Sequence, residues 1–204
     1  MINKHVKNFW DKKHIDSDID SLSGVGYDET IDFLKIRNFI ENSSNVMEIG
    51  VGLGYVTEGL YKMGINVTAV DISDIALNNV KNYCDNVYNI KDLDKLQSDY
   101  FDVIICNNVI QHVPTDTLIV EMGEFIRSLK NDGVFAIEFV SSNMFEDNGI
   151  DPHTEDCEAG RLCRSPKYME KLINGLGGYC EIVHHRPLNV SYLTDCYVFH
   201  IRKK

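Results

Sequence analysis

Apolar residues fall along this chain in short blocks divided by turn-forming residues, and the period inside the blocks alternates. "VMEI", Val46 to Ile49, predicts a strand, Tyr55 to Met63 a helix, and Asn66 to Val70 a second strand ending at Asp71. Ser73 then stands where it can cap a helix carrying Ile75, Leu77 and Val80. A weaker strand covers Asn86 to Ile90. Phe101 to Cys106, "FDVIIC", is almost unbroken apolar sequence and suits a central strand buried on both faces. Between Asp116 and Leu129, residues Leu118, Met122, Phe125, Ile126 and Leu129 recur at helical spacing, before "NDG" turns the chain into "VFAIEFV". Repeated β–α units of this kind predict an α/β fold: a Rossmann-like, doubly wound, mostly parallel sheet with helices on both sides.

Near the end the alternation stops. Ser165 and Pro166 form an N-cap and first-turn pair for a helix that ends at the glycines of "NGLGG". "YCEIVHH" and "CYVFHIR" follow with no helix between them, so they are expected as an antiparallel hairpin at one sheet edge. At the other end, Met1 to Thr30 lacks clear periodicity and reads as a polar leader before a helix at about Ile31 to Glu41. The division expected is one domain: a leader over 1–44, a core over 45–140, a loop over 141–165, and a helix with a closing hairpin over 166–204.

Composition narrows the partners. A chain of 204 residues is long enough for one substantial core and short for two. Its formal net charge is −11, and Arg202, Lys203 and Lys204 are its basic cluster, which argues against nucleic acid and anionic membranes. The six cysteines show no C-x-x-C or zinc spacing and are expected as free thiols. With neither a signal peptide nor a spanning apolar run in view, the cytoplasm is the expected location.

The segment "VMEIGVGLGYVTEGL" places glycines at 50, 52 and 54 directly behind the first strand. A dinucleotide fingerprint starting from Gly50 or Gly52 would need glycine where Tyr55 or Thr57 stands, and no Gly-Lys-Ser/Thr follows for a triphosphate loop. What remains is E-x-G-x-G-x-G, with Glu48 at the strand end. A carboxylate beside a turn stripped of side chains suits a ligand with an ammonium group and no pyrophosphate.

Together with "VTAVDIS", whose acid lies about 20 residues downstream, "FDVIICNNVIQHV" and "LKNDGVFAIEF", this segment resembles the class I S-adenosylmethionine-dependent methyltransferases of small-molecule type. The likeness covers roughly Asn45 to Val140 and extends to the hairpin, which in that family inserts an antiparallel seventh strand beside the fifth. The family's frequent Pro-Gly-Gly is here Asn131-Asp132-Gly133. The resemblance implies S-adenosyl-L-methionine as cofactor. It also implies roles: Gly50, Gly52 and Gly54 pass the methionyl part, Glu48 anchors its ammonium end, and Asp71, with Ile72, meets the ribose. Asp92 or Leu93 would meet adenine, although Asp92 serves equally well as a helix cap, and Asn107 would lie near the reactive methyl.

In the quinone-biosynthesis O-methyltransferases two glutamates and a histidine near this point can hold a divalent metal. Here the corresponding acids are Asn108 and Gln111, poor ligands for a hard cation, so no metal is expected. His112 remains as a base, a hydrogen-bond partner of the acceptor, or the start of a loop; His153, Asp151 and Glu138 are rival bases. The segment from Ser141 to Arg164 is long for a loop and carries six acids, His153, Arg161 and Arg164. It reads as a solvated lid or as an acceptor site in which Arg161 or Arg164 grips an anionic group. Tyr27 and Trp10 are either stacking surfaces or packing residues. The expected activity is O-methylation of a small polar acceptor such as a sugar, nucleotide-sugar or surface-glycan precursor. Methylation of nitrogen or carboxylate, a non-catalytic cofactor-binding subunit, and a homodimer stay open.

Overall fold

The computed structural model describes residues 4–16, 26–141, 163–190 and 193–204. A seven-stranded sheet runs in the order β3-β2-β1-β4-β5-β7-β6. The strands are β1 (Asn45–Ile49), β2 (Asn66–Asp71), β3 (Asn86–Asn89), β4 (Phe101–Cys106), β5 (Leu129–Ser141), β6 (Gly178–Val190) and β7 (Leu193–Lys203). The first five are parallel; β7 is antiparallel to both β5 and β6, inserted between them. The helices are α1 (Lys4–Asp16), α2 (Tyr27–Phe33), α3 (Arg37–Ile40), α4 (Tyr55–Lys62), α5 (Asp74–Val80), α6 (Thr115–Ser128) and α7 (Pro166–Gly175).

Strand alternation explains the near-continuous apolar runs. Met47, Ile49, Ile104, Phe135, Ile137, Phe139 and Phe199 fill one face with residues of α6 and α7. Val46, Val67, Val103, Ile105, Val134 and Val198 fill the other, against residues of α2, α3 and α4. Both predicted caps form: Ser73 Oγ accepts from the Ala76 amide at 3.2 Å, and Ser165 Oγ from the Tyr168 amide at 3.1 Å. Gly177 adopts φ +83° just past α7, as a helix-terminating glycine should.

Two expectations at the front of the chain are corrected. The polar leader contains α1, whose Lys7, Trp10, Asp11 and His14 recur at helical spacing but are mostly polar, so hydrophobic periodicity could not reveal it. The single helix at Ile31 to Glu41 is instead the pair α2 and α3. The chain breaks at Lys35, which takes φ +59°, and the freed carbonyl of Leu34 lies 2.8 Å from His200 Nε2 of β7. That break lets Ile31, Leu34, Ile36 and Ile40 all enter the core. Among the described residues no helix is long and apolar enough to cross a membrane.

Candidate active site

Between β1 and β4 the strand order reverses direction, which opens a crevice at the carboxyl ends of the parallel strands. The turn after β1 enters it. Gly50, Gly52 and Gly54 have φ of +73°, +53° and +83°, a region side chains avoid. Space separates their tasks: a Cβ on Gly50 would fall 2.2 Å from Val109 Cγ2 and one on Gly54 2.5 Å from Val80 Cγ1, whereas one on Gly52 would meet nothing within 4 Å. Gly52 therefore faces the open part of the crevice.

Two buried acids flank this turn. Glu48 Oε2 accepts from Thr57 Oγ1 at 2.5 Å, tying the end of β1 to the first turn of α4. Burial pushes the Glu48 carboxyl up to about 8; the Thr57 bond works against that rise and the nearby Asp71 adds to it. Asp71, at the end of β2, accepts from the Ser73 amide at 2.8 Å through Oδ1, and its Oδ2 lies 3.5 Å from the Gly52 nitrogen. Burial raises its pKa as well, opposed by those amides and by His14. Ile72 continues from Asp71, and its carbonyl accepts from Asn89 Nδ2 at 3.2 Å.

The third wall follows β4. Asn108 takes φ +58°, and its amide donates to Glu138 Oε2 at 2.7 Å. Gln111 Nε2 donates to Asn108 Oδ1 at 3.3 Å, so the two amides that stand at the family's metal-ligand positions are paired with each other. A short 3-10 turn, Ile110–His112, ends at His112, whose ring meets Trp10 of α1 edge-on at 5.1 Å. Asn107 Oδ1 and Gln111 Oε1 are buried oxygens with no hydrogen-bond donor among the described residues. Each costs free energy unless a ligand supplies the proton.

Several expected site residues have other tasks. Arg164 is buried, and its guanidinium donates to the carbonyls of Ile110 (2.7 Å) and Val113 (2.6 Å), bracing the turn that carries His112. Acceptor gripping by Arg164 is thus corrected: its fork is occupied by backbone. Tyr27 packs over Gly59, where a Cβ would fall 2.4 Å from its ring, and its hydroxyl lies 2.7 Å from Met63 Sδ. It is a packing residue against the far end of α4, away from the glycine turn. Leu93 is a core side chain, and Asp92 is paired with Lys95 at 2.6 Å. The cap near Asp92 is Asn89, which accepts from the Lys91 amide. Glu138, a rival base, is buried with one carboxylate oxygen on Asn108 and the other 3.1 Å from Cys196 Sγ. His153, Asp151 and Arg161 lie outside the described residues, as does most of their loop.

Sequence reasoning missed one whole wall. Helix α1 lies across the crevice: Lys7 pairs with Asp74 at 3.2 Å, Asp11 accepts from Ser73 Oγ at 2.6 Å, and Trp10 reaches His112. The sole local signal was the aromatic pair Phe9-Trp10 within a polar stretch.

Comparison with known proteins agrees with this arrangement. Residues 47–137 match the family model described as a methyltransferase domain. A ubiquinone biosynthesis O-methyltransferase of Coxiella burnetii is 35% identical over 77 residues, 34% of this chain and 33% of that protein. One of Glaesserella parasuis is 29% identical over 108 residues, 47% and 45% of the two chains. The matched region thus spans between a third and a half of those curated relatives. Among solved structures, the DhpI-SAM-HEP complex superposes with a TM-score of 0.67 over 98% of this chain and 96% of that one, at 17% identity. Magnesium protoporphyrin IX methyltransferase of Synechocystis PCC 6803, with bound SAH, gives 0.61 over 100% and 89%, at 15% identity. At such identities the likeness is one of fold. Motif order, strand order and the methyltransferase domain matched over residues 47–137 together support a class I S-adenosylmethionine-dependent methyltransferase.

Proposed function

We propose that the protein transfers a methyl group from S-adenosylmethionine to a hydroxyl of a small acceptor. The observation that carries this reading is the convergence of Gly52, Asp71 and the His112 turn on one crevice. Its lining has an excess of acceptors: the Asp71 carboxyl and the orphaned oxygens of Asn107 and Gln111. That set fits a cationic ligand rich in hydroxyl and ammonium donors, which S-adenosylmethionine is.

When bound, the cofactor supplies an electrophilic methyl carbon on a sulfonium, and the protein's main task is alignment. Asp71 would accept from the ribose hydroxyls, and the bare backbone at Gly52 would let the methionyl part lie close. Asn107 Oδ1 would accept from a ligand donor near the reacting centre. An imidazole nitrogen of His112 would take the proton as an acceptor hydroxyl is methylated, and Trp10 beside it offers a flat wall for a planar acceptor. The relatives named for ubiquinone biosynthesis favour a hydroxyl acceptor, and nothing in the comparisons favours the sugar or glycan class.

The test is release of S-adenosylhomocysteine against matched panels of phenols, sugars, carboxylates and amines. Turnover with phenols or other hydroxyl compounds supports the reading. Turnover confined to amines or carboxylates refutes the hydroxyl, and cofactor binding without turnover on any panel would favour a non-catalytic subunit.

A further inference from the structure

Helix α1 holds one polar group that the proposed reaction leaves unused. His14 is 7% exposed, and its Nδ1 has no hydrogen-bond partner among the described residues. It lies on the same face of α1 as Trp10 and Asp11, one turn further along. Those two residues fix that face: Asp11 is held by Ser73 Oγ just after β2, and Trp10 by the ring of His112 just after β4. Because Lys7 contacts Asp74 and Asp11 contacts Ser73, the helix runs backwards over the loop after β2, from the start of α5 toward Asp71. His14, the next residue on that face, comes into the electrostatic neighbourhood of the Asp71 carboxylate. A buried imidazole nitrogen left unpaired costs about as much as a lost hydrogen bond, so a partner beyond the described residues is implied.

The chemistry of the neighbourhood says what that partner is. Asp71 can only accept while ionised, so a hydroxyl placed against it donates its hydrogen and leaves its own lone pairs unfilled. His14 Nδ1, buried and without a partner among the described residues, can fill one. We propose that His14 is a ligand-binding residue whose Nδ1–H donates to a hydroxyl oxygen of the vicinal diol that Asp71 binds. This assignment rests on the reading of the crevice as a nucleoside cofactor site. It makes α1 part of the binding site and lets a bound diol hold the helix in place from beneath.

The experiment is calorimetric titration of the intact chain with S-adenosylhomocysteine and with its 2′-deoxy and 3′-deoxy forms. His14→Phe keeps the ring that packs near Trp10 and removes the donor; His14→Asn keeps a donor near the Nδ1 position. We expect His14→Phe to bind S-adenosylhomocysteine roughly five- to fifteen-fold more weakly, the size of one hydrogen bond, and His14→Asn to stay within about threefold of wild type. For one of the two deoxy forms the gap between wild type and His14→Phe should vanish. Equal binding by wild type and His14→Phe overturns the inference, as does an equal loss for all three ligands, which would mean packing alone. Should His14→Phe fail to fold, a His14→Asn variant that binds all three ligands with one common loss well beyond about threefold overturns it too, since a donor near the Nδ1 position would then not restore binding. Wild-type protein that binds none of them removes the cofactor reading itself, a failure visible without any variant.

Discussion

Arg164 Nη1 lies 2.7 Å from the carbonyl oxygen of Ile110, and the same guanidinium reaches Val113 at 2.6 Å. One cation entering from the far side of the loop after β5 thus holds the backbone on which His112 sits, while its own amide is bonded to Val140 of β5. Removing it would leave the buried carbonyl of Ile110 and the part-buried carbonyl of Val113 without this donor. Arg164→Ala should therefore destabilise the fold by about 3–6 kcal/mol, given about 1.5–3 kcal/mol for each of these two hydrogen bonds from a charged group. Turnover should fall while affinity for S-adenosylhomocysteine changes little. Arg164→Lys, which can reach one carbonyl, should fall between the two. Denaturant melts beside ligand titration check this; a raised Michaelis constant with unchanged stability would return Arg164 to acceptor binding.

The glycine turn predicts a separation of folding from binding. Gly50→Ala forces a methyl into Val109 at a positive φ, so both stability and binding should be lost. Gly52→Val places its side chain in open space, at a backbone cost of about 1–2 kcal/mol, so the protein should fold. At a ligand concentration 100 times the dissociation constant, S-adenosylhomocysteine should add about 2.7 kcal/mol to wild-type stability, and that gain should vanish in Gly52→Val. Thermal melts with and without ligand read both effects.

Glu48 predicts a pH dependence. Its folded carboxyl titrates at about 8, against an ordinary 4.5. The folded protein therefore keeps a proton that the unfolded chain releases. The resulting stability is intact below about pH 4.5 and is lost as pH rises toward 8 and beyond. Glu48→Gln keeps an oxygen for Thr57 and cannot ionise. It should be more stable than wild type at pH 9, by at most about 5 kcal/mol, since each tenfold change in proton affinity is worth about 1.36 kcal/mol. That advantage should shrink toward pH 5. Asp71 acts in the same direction and remains in the variant, so the slope should flatten without disappearing. Melting temperatures across pH 5 to 9 provide the comparison.

His112→Ala should lower turnover by roughly 100- to 10,000-fold if the imidazole takes the acceptor proton, with cofactor affinity nearly unchanged. The loss should shrink for acceptors whose hydroxyl is already acidic, since they need less help from a base. Uniform turnover across variants and acceptors would leave alignment as the whole contribution.

The paired amides of Asn108 and Gln111 predict indifference to chelation. Turnover should be the same with and without EDTA. Loss of activity restored by magnesium would place a metal elsewhere in the site.

The sequence by itself determined the parts whose physics is local. The period of apolar residues located every strand of the sheet, because burial on two faces demands alternating or continuous apolar positions within a few residues. The three positive-φ glycines, the Ser73 and Ser165 caps and Asp71 at a strand end were legible because backbone conformation and capping bonds join near neighbours in the chain. Tertiary structure decided what depends on distant partners. Arg164 looked like an anion grip because nothing nearby in sequence could reveal that Ile110 and Val113 would meet it. Tyr27 read equally well as a stacking surface or a packing residue until α2 packed it over Gly59. Helix α1 was invisible as a wall of the site, since its ordered face is mostly polar and its partners, Ser73, Asp74 and His112, are more than 60 residues away. Hydrophobic periodicity is written into the chain residue by residue, whereas the pairing of a polar side chain exists once the fold has brought its partner to it.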